Sequence, residues 1–118
     1  MTGASTLTLE SELGPEFLTR MVAEQMKVPA HVWQEMFAEL IQYDDIDELG
    51  RISRPTLLIW GDADGLVGRE MQDALAARIA QTELIVYPGV GHTPRWEEPT
   101  RFTTDVTDFV ESCFTIRL

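Results

Sequence analysis

Apolar positions recur every three to four residues in two adjacent segments in the first half of the chain. Pro15 precedes one segment and Pro29 the other, and a proline in the first turn of a helix loses no hydrogen bond. The sequence therefore predicts two consecutive amphipathic helices. Their apolar positions are Phe17, Leu18, Met21, Val22 and Met26, followed by Val32, Trp33, Met36, Phe37, Leu40 and Ile41. We expect Trp33, Met36 and Phe37 to pack in a helix core rather than to line a pocket.

The pattern changes at the acidic run YDDIDELG, residues 43–50, which ends in glycine. Such a run favours a boundary between two parts of the chain. We predict an N-terminal part, residues 1–50, in which residues 1–13 form a loose arm ahead of the two helices. The C-terminal part spans residues 51–118.

Two short apolar segments in the C-terminal part have the character of strands. Residues 56–60, TLLIW, and residues 83–87, ELIVY, are bulky or β-branched at most positions, as in strands covered on both faces. Residues 69–80 between them have helical spacing, and so do the residues that follow Pro99. A strand–helix–strand unit of this length predicts an α/β fold with a parallel pair of strands and a right-handed crossover.

Two parallel strands cannot form a stable sheet alone, because the open edge presents unpaired backbone groups. We therefore expect association. The simplest partner is a second copy, giving a homodimer joined by strand edges or by exchange of the helical arm. A complementary chain that carries the missing strands is the other possibility.

Candidate chemistry lies in the loops that leave the two strands, GDADGLVG and PGVGH. The carboxyl ends of parallel strands meet at one edge of a sheet, where ligands and catalytic groups collect. Asp62 and Asp64 come from the first loop and His92 from the second, and neighbouring strands are about 5 Å apart. A carboxylate that holds Nδ1–H of an imidazole leaves Nε2 free to accept a proton.

PTLLIWGDADGLV, LIVYPGVGH and EEPTRFTTDVTDFV together resemble the C-terminal part of the α/β-hydrolase fold superfamily. Matching positions are Gly61, Asp64 and Val67 in the first motif, Gly89, Gly91 and His92 in the second, and Glu97, Pro99 and Phe102 after them. The resemblance implies a partial α/β-hydrolase fold, in which a helical arm, the end of a cap, precedes a parallel β-α-β-α unit. It also implies that Asp64 is the acid and His92 the base of a Ser-His-Asp or related triad. Asp62 falls at a variable position and is expected to stiffen the loop.

The nucleophile of that family lies on a G-x-S-x-G elbow or a variant of it. None of the four serines, at positions 5, 11, 53 and 112, is flanked by such glycines. We therefore expect a truncated, esterase-like part of a hydrolase that is inactive alone. It would act on an ester-like small molecule only if a nucleophile is supplied. The alternative is a non-catalytic association module built on the same fold.

Composition narrows the class of partner. The formal net charge is −11, from 20 acidic and 9 basic residues, which argues against nucleic acid. No apolar run approaches the roughly 20 residues that cross a bilayer, and the first ten residues lack a signal-peptide pattern, so we expect a cytoplasmic protein without a membrane partner. A single cysteine, Cys113, is expected to pack in a helix. We expect neither a metal nor another cofactor.

Two metal-dependent interpretations of the DADG loop are weaker. A phosphatase of the haloacid dehalogenase type needs its first aspartate directly at the strand end and a lysine downstream, whereas Gly61 intervenes here and the one lysine, Lys27, lies upstream. An EF-hand needs a glutamate at the twelfth position from Asp62, where this chain has Asp73.

Overall fold

The computed structural model describes residues 14–115, so the arm predicted at residues 1–13 lies outside the described part. In chain order the elements are α1 (Pro15–Gln25), α2 (Ala30–Gln42), a 3-10 helix (Ile46–Arg51), β1 (Thr56–Gly61), α3 (Arg69–Arg78), β2 (Thr82–Tyr87), α4 (Pro94–Glu97) and α5 (Pro99–Thr115). This order confirms the α/β class and the helix–helix–strand–helix–strand–helix pattern.

Three differences from the predicted elements have local causes. The acidic run contains a 3-10 helix whose Leu49 is buried, because the leucine anchors an otherwise polar connection. Helix α3 ends at Arg78, two residues early, since Ile79 adopts an extended conformation and is buried. The short helix α4 was not predicted, as Pro94 and the three residues after it carry no period.

Strands β1 and β2 are parallel and in register from Thr56 opposite Thr82 to Gly61 opposite Tyr87. Among the described residues they form a two-stranded sheet, so β1 has one strand neighbour. Backbone groups of alternate residues in a strand point to opposite edges. The second edge of β1 is thus available to another strand, which matches the partial fold predicted from the sequence.

The buried side chains gather around the sheet and the loops at its carboxyl edge. They are Leu49, Trp60, Ile79, Tyr87 and Val90, with the polar residues Thr93 and Glu97. The hydroxyl of the fully buried Tyr87 donates to Asp105 Oδ2 in α5 at 2.5 Å. Arg101 lies over the Tyr87 ring, 4.0 Å from its centre. These contacts pack α5 against the end of β2, the strand before the loop that contains His92.

Helices α1 and α2 contain no buried residue, although both have apolar stripes. We expected Trp33, Met36 and Phe37 to pack in a helix core, and this is wrong for the described chain. Met36 and Phe37 are about half exposed, at 48% and 49%, and the half-buried Trp33 stacks on Phe37. The reason is that α2 has no apolar surface opposite it within residues 14–115.

Candidate active site

The loop after β1 is shaped by the carboxylate of Asp64. Asp64 Oδ1 accepts hydrogen bonds from the backbone N–H groups of Leu66 at 2.8 Å and Val67 at 3.0 Å. These two bonds occupy one oxygen and direct the other, Oδ2, away from its own loop. The Asp64 side chain is only 5% exposed, so its orientation is fixed by buried contacts.

The loop after β2 turns at Gly89, whose φ of +70° is a conformation that glycine adopts without strain. It is bound directly to the first loop. Asp62 Oδ1 accepts the Gly89 N–H at 2.7 Å, and the Ala63 N–H donates to the Val90 carbonyl at 3.0 Å. Asp62 therefore stiffens the loops, as expected, by linking one to the other.

Gly61 allows the two loops to approach this closely. A Cβ at position 61 would overlap the carbonyl oxygens of Val90 and Gly91, which are backbone atoms with little freedom to move. The last residue of β1 must therefore lack a side chain. This gives a structural reason for the glycine that opens GDADGLVG.

Asp64 and His92 meet across the two loops. The distance from His92 Nδ1 to Asp64 Oδ2 is 2.9 Å. Burial raises the pKa of the Asp64 carboxyl, but the hydrogen bonds from His92, Leu66 and Val67 and the imidazole charge outweigh it and hold this pKa below its ordinary value. An ionised carboxylate only accepts hydrogen bonds, so Nδ1 of His92 carries the proton.

The other nitrogen of the ring, Nε2, is then unprotonated in neutral His92 and can act as a base. The His92 side chain is 39% exposed, so a reacting group can reach it. The structure thus brings together both predicted site residues, with a buried carboxylate behind a partly exposed imidazole. This is the arrangement used for general-base activation of a nucleophile.

The two serines of the described chain, Ser53 and Ser112, lie away from Asp64 and His92. Ser53 precedes the first residue of β1, at the end of the strand opposite Asp64. Ser112 lies near the end of α5, where its hydroxyl donates to the Phe109 carbonyl at 2.7 Å. Ser5 and Ser11 lie outside the described residues.

One residue at the site, Glu97, was matched to a family motif from the sequence but given no role. Its buried carboxylate accepts hydrogen bonds from the backbone on both sides of His92, at Gly91 and Thr93, and from the Thr93 hydroxyl. The one signal in the sequence is the motif match itself, because the four-residue helix that brings Glu97 back to this loop has no periodic pattern.

Helix α1 and Trp96 of helix α4 border an open groove of about 720 Å³. Trp96 and Phe17 make an edge-to-face contact with ring centres 5.6 Å apart, which joins the helical arm to the site loops. The groove is lined by Glu16, Phe17, Arg20, Met21, Glu24, Gln25 and Trp96. Its walls combine an apolar surface with charged rims.

Within residues 14–115, no group of three or more His, Cys, Asp or Glu side chains is placed to hold a metal ion. Asp62 and Asp64 instead bind loop backbone groups and His92, so the DADG loop is organised by protein donors. No helix in this part of the chain has the length and apolar character that a bilayer span requires.

Comparison with known proteins identifies the relatives of this chain. The family profile described as the alpha/beta hydrolase fold matches residues 19–99. A 2-hydroxy-6-oxononadienedioate/2-hydroxy-6-oxononatrienedioate hydrolase of Klebsiella pneumoniae is 40% identical over 62 residues, covering 52% of this chain and 22% of that protein. The pimeloyl-acyl-carrier-protein methyl ester esterase of Yersinia enterocolitica is 31% identical over 107 residues, covering 90% and 42%. The chain thus spans less than half the length of either relative.

Solved structures contain a similar fold. A crystal structure of a membrane phospholipase A, described as a bacterial virulence factor, superposes with a TM-score of 0.79 at 22% identity, covering 91% of this chain and 36% of that one. At this identity the likeness concerns the fold. A thermophilic esterase of Thermogutta terrifontis superposes with a TM-score of 0.56 at 33% identity, covering 59% and 26%.

Proposed function

Because this chain belongs to the α/β-hydrolase fold family, we propose that it supplies the acid and the base of a hydrolytic triad. Asp64 is the acid and His92 the base, and the nucleophile comes from a segment outside this sequence. The observation that carries the proposal is the 2.9 Å contact between Asp64 Oδ2 and His92 Nδ1 at the carboxyl edge of two parallel strands.

In the proposed reaction His92 Nε2 accepts the proton of the nucleophile's hydroxyl as its oxygen attacks an ester carbonyl. Asp64 stabilises the imidazolium that results. His92 then donates the proton to the leaving alcohol, and an acyl intermediate remains on the nucleophile. A water molecule attacks this intermediate and gives its proton to His92, which passes a proton to the departing nucleophile oxygen, so that the acid product is released and the free hydroxyl is restored.

We propose an ester-like small molecule as the substrate. Two kinds of observation support this choice. The relatives include a methyl ester esterase and oxo-dienoate hydrolases by name, and the groove beside Trp96 has an apolar wall of a size that suits a small acyl or aryl group. The charged rim of this groove would face a polar end of the substrate.

The open edge of β1 and the exposed apolar stripe of α2 support a partner for this chain. We propose either a second copy or a complementary chain that carries the nucleophile. In α2 the exposed fractions rise from 48% at Met36 to 61% at Leu40 and 83% at Ile41, so most of one helix face is unpaired in the described chain. Covering such a face would be favourable by about 25 cal/mol per Å² of apolar surface.

The test is a complementation assay with p-nitrophenyl acetate. The full chain is assayed alone, then mixed with a separately expressed upstream part of an α/β hydrolase that bears the elbow serine. Turnover in the mixture that is lost in His92→Ala and in Asp64→Asn supports the proposal. Turnover that survives His92→Ala would refute the role of this histidine, and turnover by the chain alone would refute an external nucleophile.

The alternative is a non-catalytic association module, favoured by the same unpaired surfaces. The hydrolytic function requires the loops that carry Asp64 and His92, whereas association does not. A module requires the β1 edge and the α2 face but not His92, so His92→Ala would leave association unchanged and no mixture would hydrolyse the ester. Light scattering at micromolar concentration tests association itself, and a compact monomer with no binding to the upstream part would exclude the module.

A further inference from the structure

We infer that Glu97 is a positioning residue for His92, holding the backbone on both sides of the histidine so that its ring meets Asp64. Oε1 of Glu97 accepts the Gly91 N–H at 3.0 Å. Oε2 accepts the Thr93 N–H and the Thr93 hydroxyl, each at 3.1 Å. The importance of this role for turnover rests on the function proposed above, while the role in placing the ring does not.

The geometry uses both carboxylate oxygens for two donors that flank a single residue. Gly91 and Thr93 are buried, whereas His92 between them is exposed, so the ends of this tripeptide are fixed and its middle side chain projects outward. Glu97 itself is only 8% exposed. A buried carboxylate needs such donors to offset the loss of hydration. The hydrogen bonds of Glu97 to Gly91 and Thr93, called the clamp below, and the burial of Glu97 therefore depend on one another.

Helix α4 brings Glu97 back to the loop that contains His92. Pro94 begins this four-residue helix, and the Glu97 N–H donates to the Thr93 carbonyl at 3.1 Å. One helical turn therefore places the Glu97 side chain above the residues just before the helix. The clamp is independent of the link at Asp62, which fixes Gly89 at the start of the loop.

The inference predicts different effects for substitutions that look equally mild. In Glu97→Gln the amide nitrogen is a donor, so it cannot accept from the second of the two flanking N–H groups. Glu97→Asp keeps the charge but is one methylene shorter, and it cannot span Gly91 and Thr93 together. Both variants should loosen His92. Glu98→Gln makes the same chemical change at the exposed neighbouring residue and should not.

The first measurement is the ring tautomer of His92 by long-range nitrogen NMR on the full chain at neutral pH. The only other histidine, His31, is exposed on α2 and serves as an internal reference. The wild-type chain and Glu98→Gln should show the Nδ1–H form at His92. Glu97→Gln and Glu97→Asp should shift His92 toward the tautomer mixture of His31, whose signals stay in place.

A loss of charge near the imidazole is separated from a loss of position by Glu97→Asp and by Asp62→Asn. Asp62 makes its link through a single oxygen, which an amide can replace, so Asp62→Asn should leave the His92 tautomer as in the wild type. If Glu97→Asp also matches the wild type, or if Asp62→Asn behaves like Glu97→Gln, positioning by Glu97 is refuted. Far-UV circular dichroism checks that each variant is folded.

In the complementation assay, Glu97→Gln should lower kcat about 10- to 100-fold with little change in KM, as expected for a base displaced from its productive geometry. If His92→Ala abolishes turnover but Glu97→Gln matches Glu98→Gln, this inference fails and the proposed function stands. If His92→Ala has no effect, the proposed function fails, and the tautomer measurement still decides the role of Glu97.

Should Glu97→Gln not fold, Thr93→Val replaces it. This substitution removes only the hydroxyl donor to Glu97 and keeps the size of the buried side chain. A partial shift of the His92 tautomer supports the inference. An unchanged tautomer overturns it.

Discussion

Replacing Asp64 by asparagine removes the proposed acid of the site while keeping the shape of the side chain. The asparagine oxygen can accept the Leu66 and Val67 N–H groups, which bind one carboxylate oxygen of Asp64 at 2.8 and 3.0 Å. Its amide N–H then points at His92 Nδ1. A donor in this place requires an acceptor, so the ring adopts the tautomer with the proton on Nε2 and loses its basic nitrogen there.

Two magnitudes follow from this change. Replacement of the corresponding acid in a serine protease triad lowers kcat about 10,000-fold through the wrong tautomer, and we expect a similar loss here. The stability effect is smaller. A hydrogen bond to a charged group contributes about 1.5–3 kcal/mol, but His92 is 39% exposed and solvent screening reduces this, so we expect a loss of about 1 kcal/mol.

The stability effect has a defined dependence on pH. The pKa of Asp64 is lowered in the folded chain, so its carboxylate stabilises the fold above the pKa of an unfolded aspartate, about 3.9. That contribution is lost as the pH falls through the lower folded value. Wild type and Asp64→Asn should therefore differ at pH 7 and converge at the acidic end.

Urea unfolding followed by tryptophan fluorescence measures the free energy of unfolding at several pH values, and the complementation assay measures kcat. Asp62→Asn is the control, since it changes a nearby aspartate of the same loop that does not contact the imidazole. Equal stability losses in Asp64→Asn at pH 7 and at low pH would refute the electrostatic account. An unchanged kcat in the mixture would refute the acid role.

Three further predictions test the fold and its surfaces. Gly61→Ala should lower the free energy of unfolding by about 3 kcal/mol or more, because the new Cβ would overlap the loop backbone. Gly50→Ala has open space around its Cβ and should change this free energy by about 0.5 kcal/mol or less, and urea titration measures both variants. Burial and the hydrogen bond to Asp105 raise the pKa of Tyr87, so the free energy of unfolding of the wild-type chain should fall above pH about 10. Tyr87→Phe should remove this dependence on pH and lower the free energy of unfolding by about 1–2 kcal/mol at pH 7, and urea unfolding measures both effects. Phe37→Asp on the exposed α2 stripe should weaken any self-association several-fold. If the wild-type chain is a dimer in light scattering and the variant has the same mass at the same concentration, this prediction is contradicted.

Strand positions and the contact between Asp64 and His92 could be predicted from the sequence because both depend on short-range patterns. Apolar runs placed β1 and β2 within a residue of their bounds, and parallel pairing brings Asp64 and His92 to one edge. The role of Glu97 could not be predicted in this way. It depends on a four-residue helix that carries no periodic signal, and on both oxygens of one carboxylate finding donors around His92.

Helices α1 and α2 show what a local sequence pattern cannot predict. Their apolar stripes predicted helix formation correctly, but the same stripes could not tell which surface they pack against. Amphipathic spacing reports that one face favours burial, without identifying the partner. In the described chain the α2 face has no such partner, so Phe37 remains about half exposed even though the local sequence favours a buried position.

The contacts that assemble the candidate site all lie between Gly61 and Glu97. The bonds of Asp62 to Gly89 and of Ala63 to Val90 join the loops, and the carboxylates of Asp64 and Glu97 then orient His92 from two sides. None of these contacts involves the open edge of β1. Asp64 and His92 therefore contact each other without any further strand. Under the proposed function, a partner that completes the sheet would have to deliver a nucleophile and its oxyanion donors, and the complementation assay tests this requirement directly.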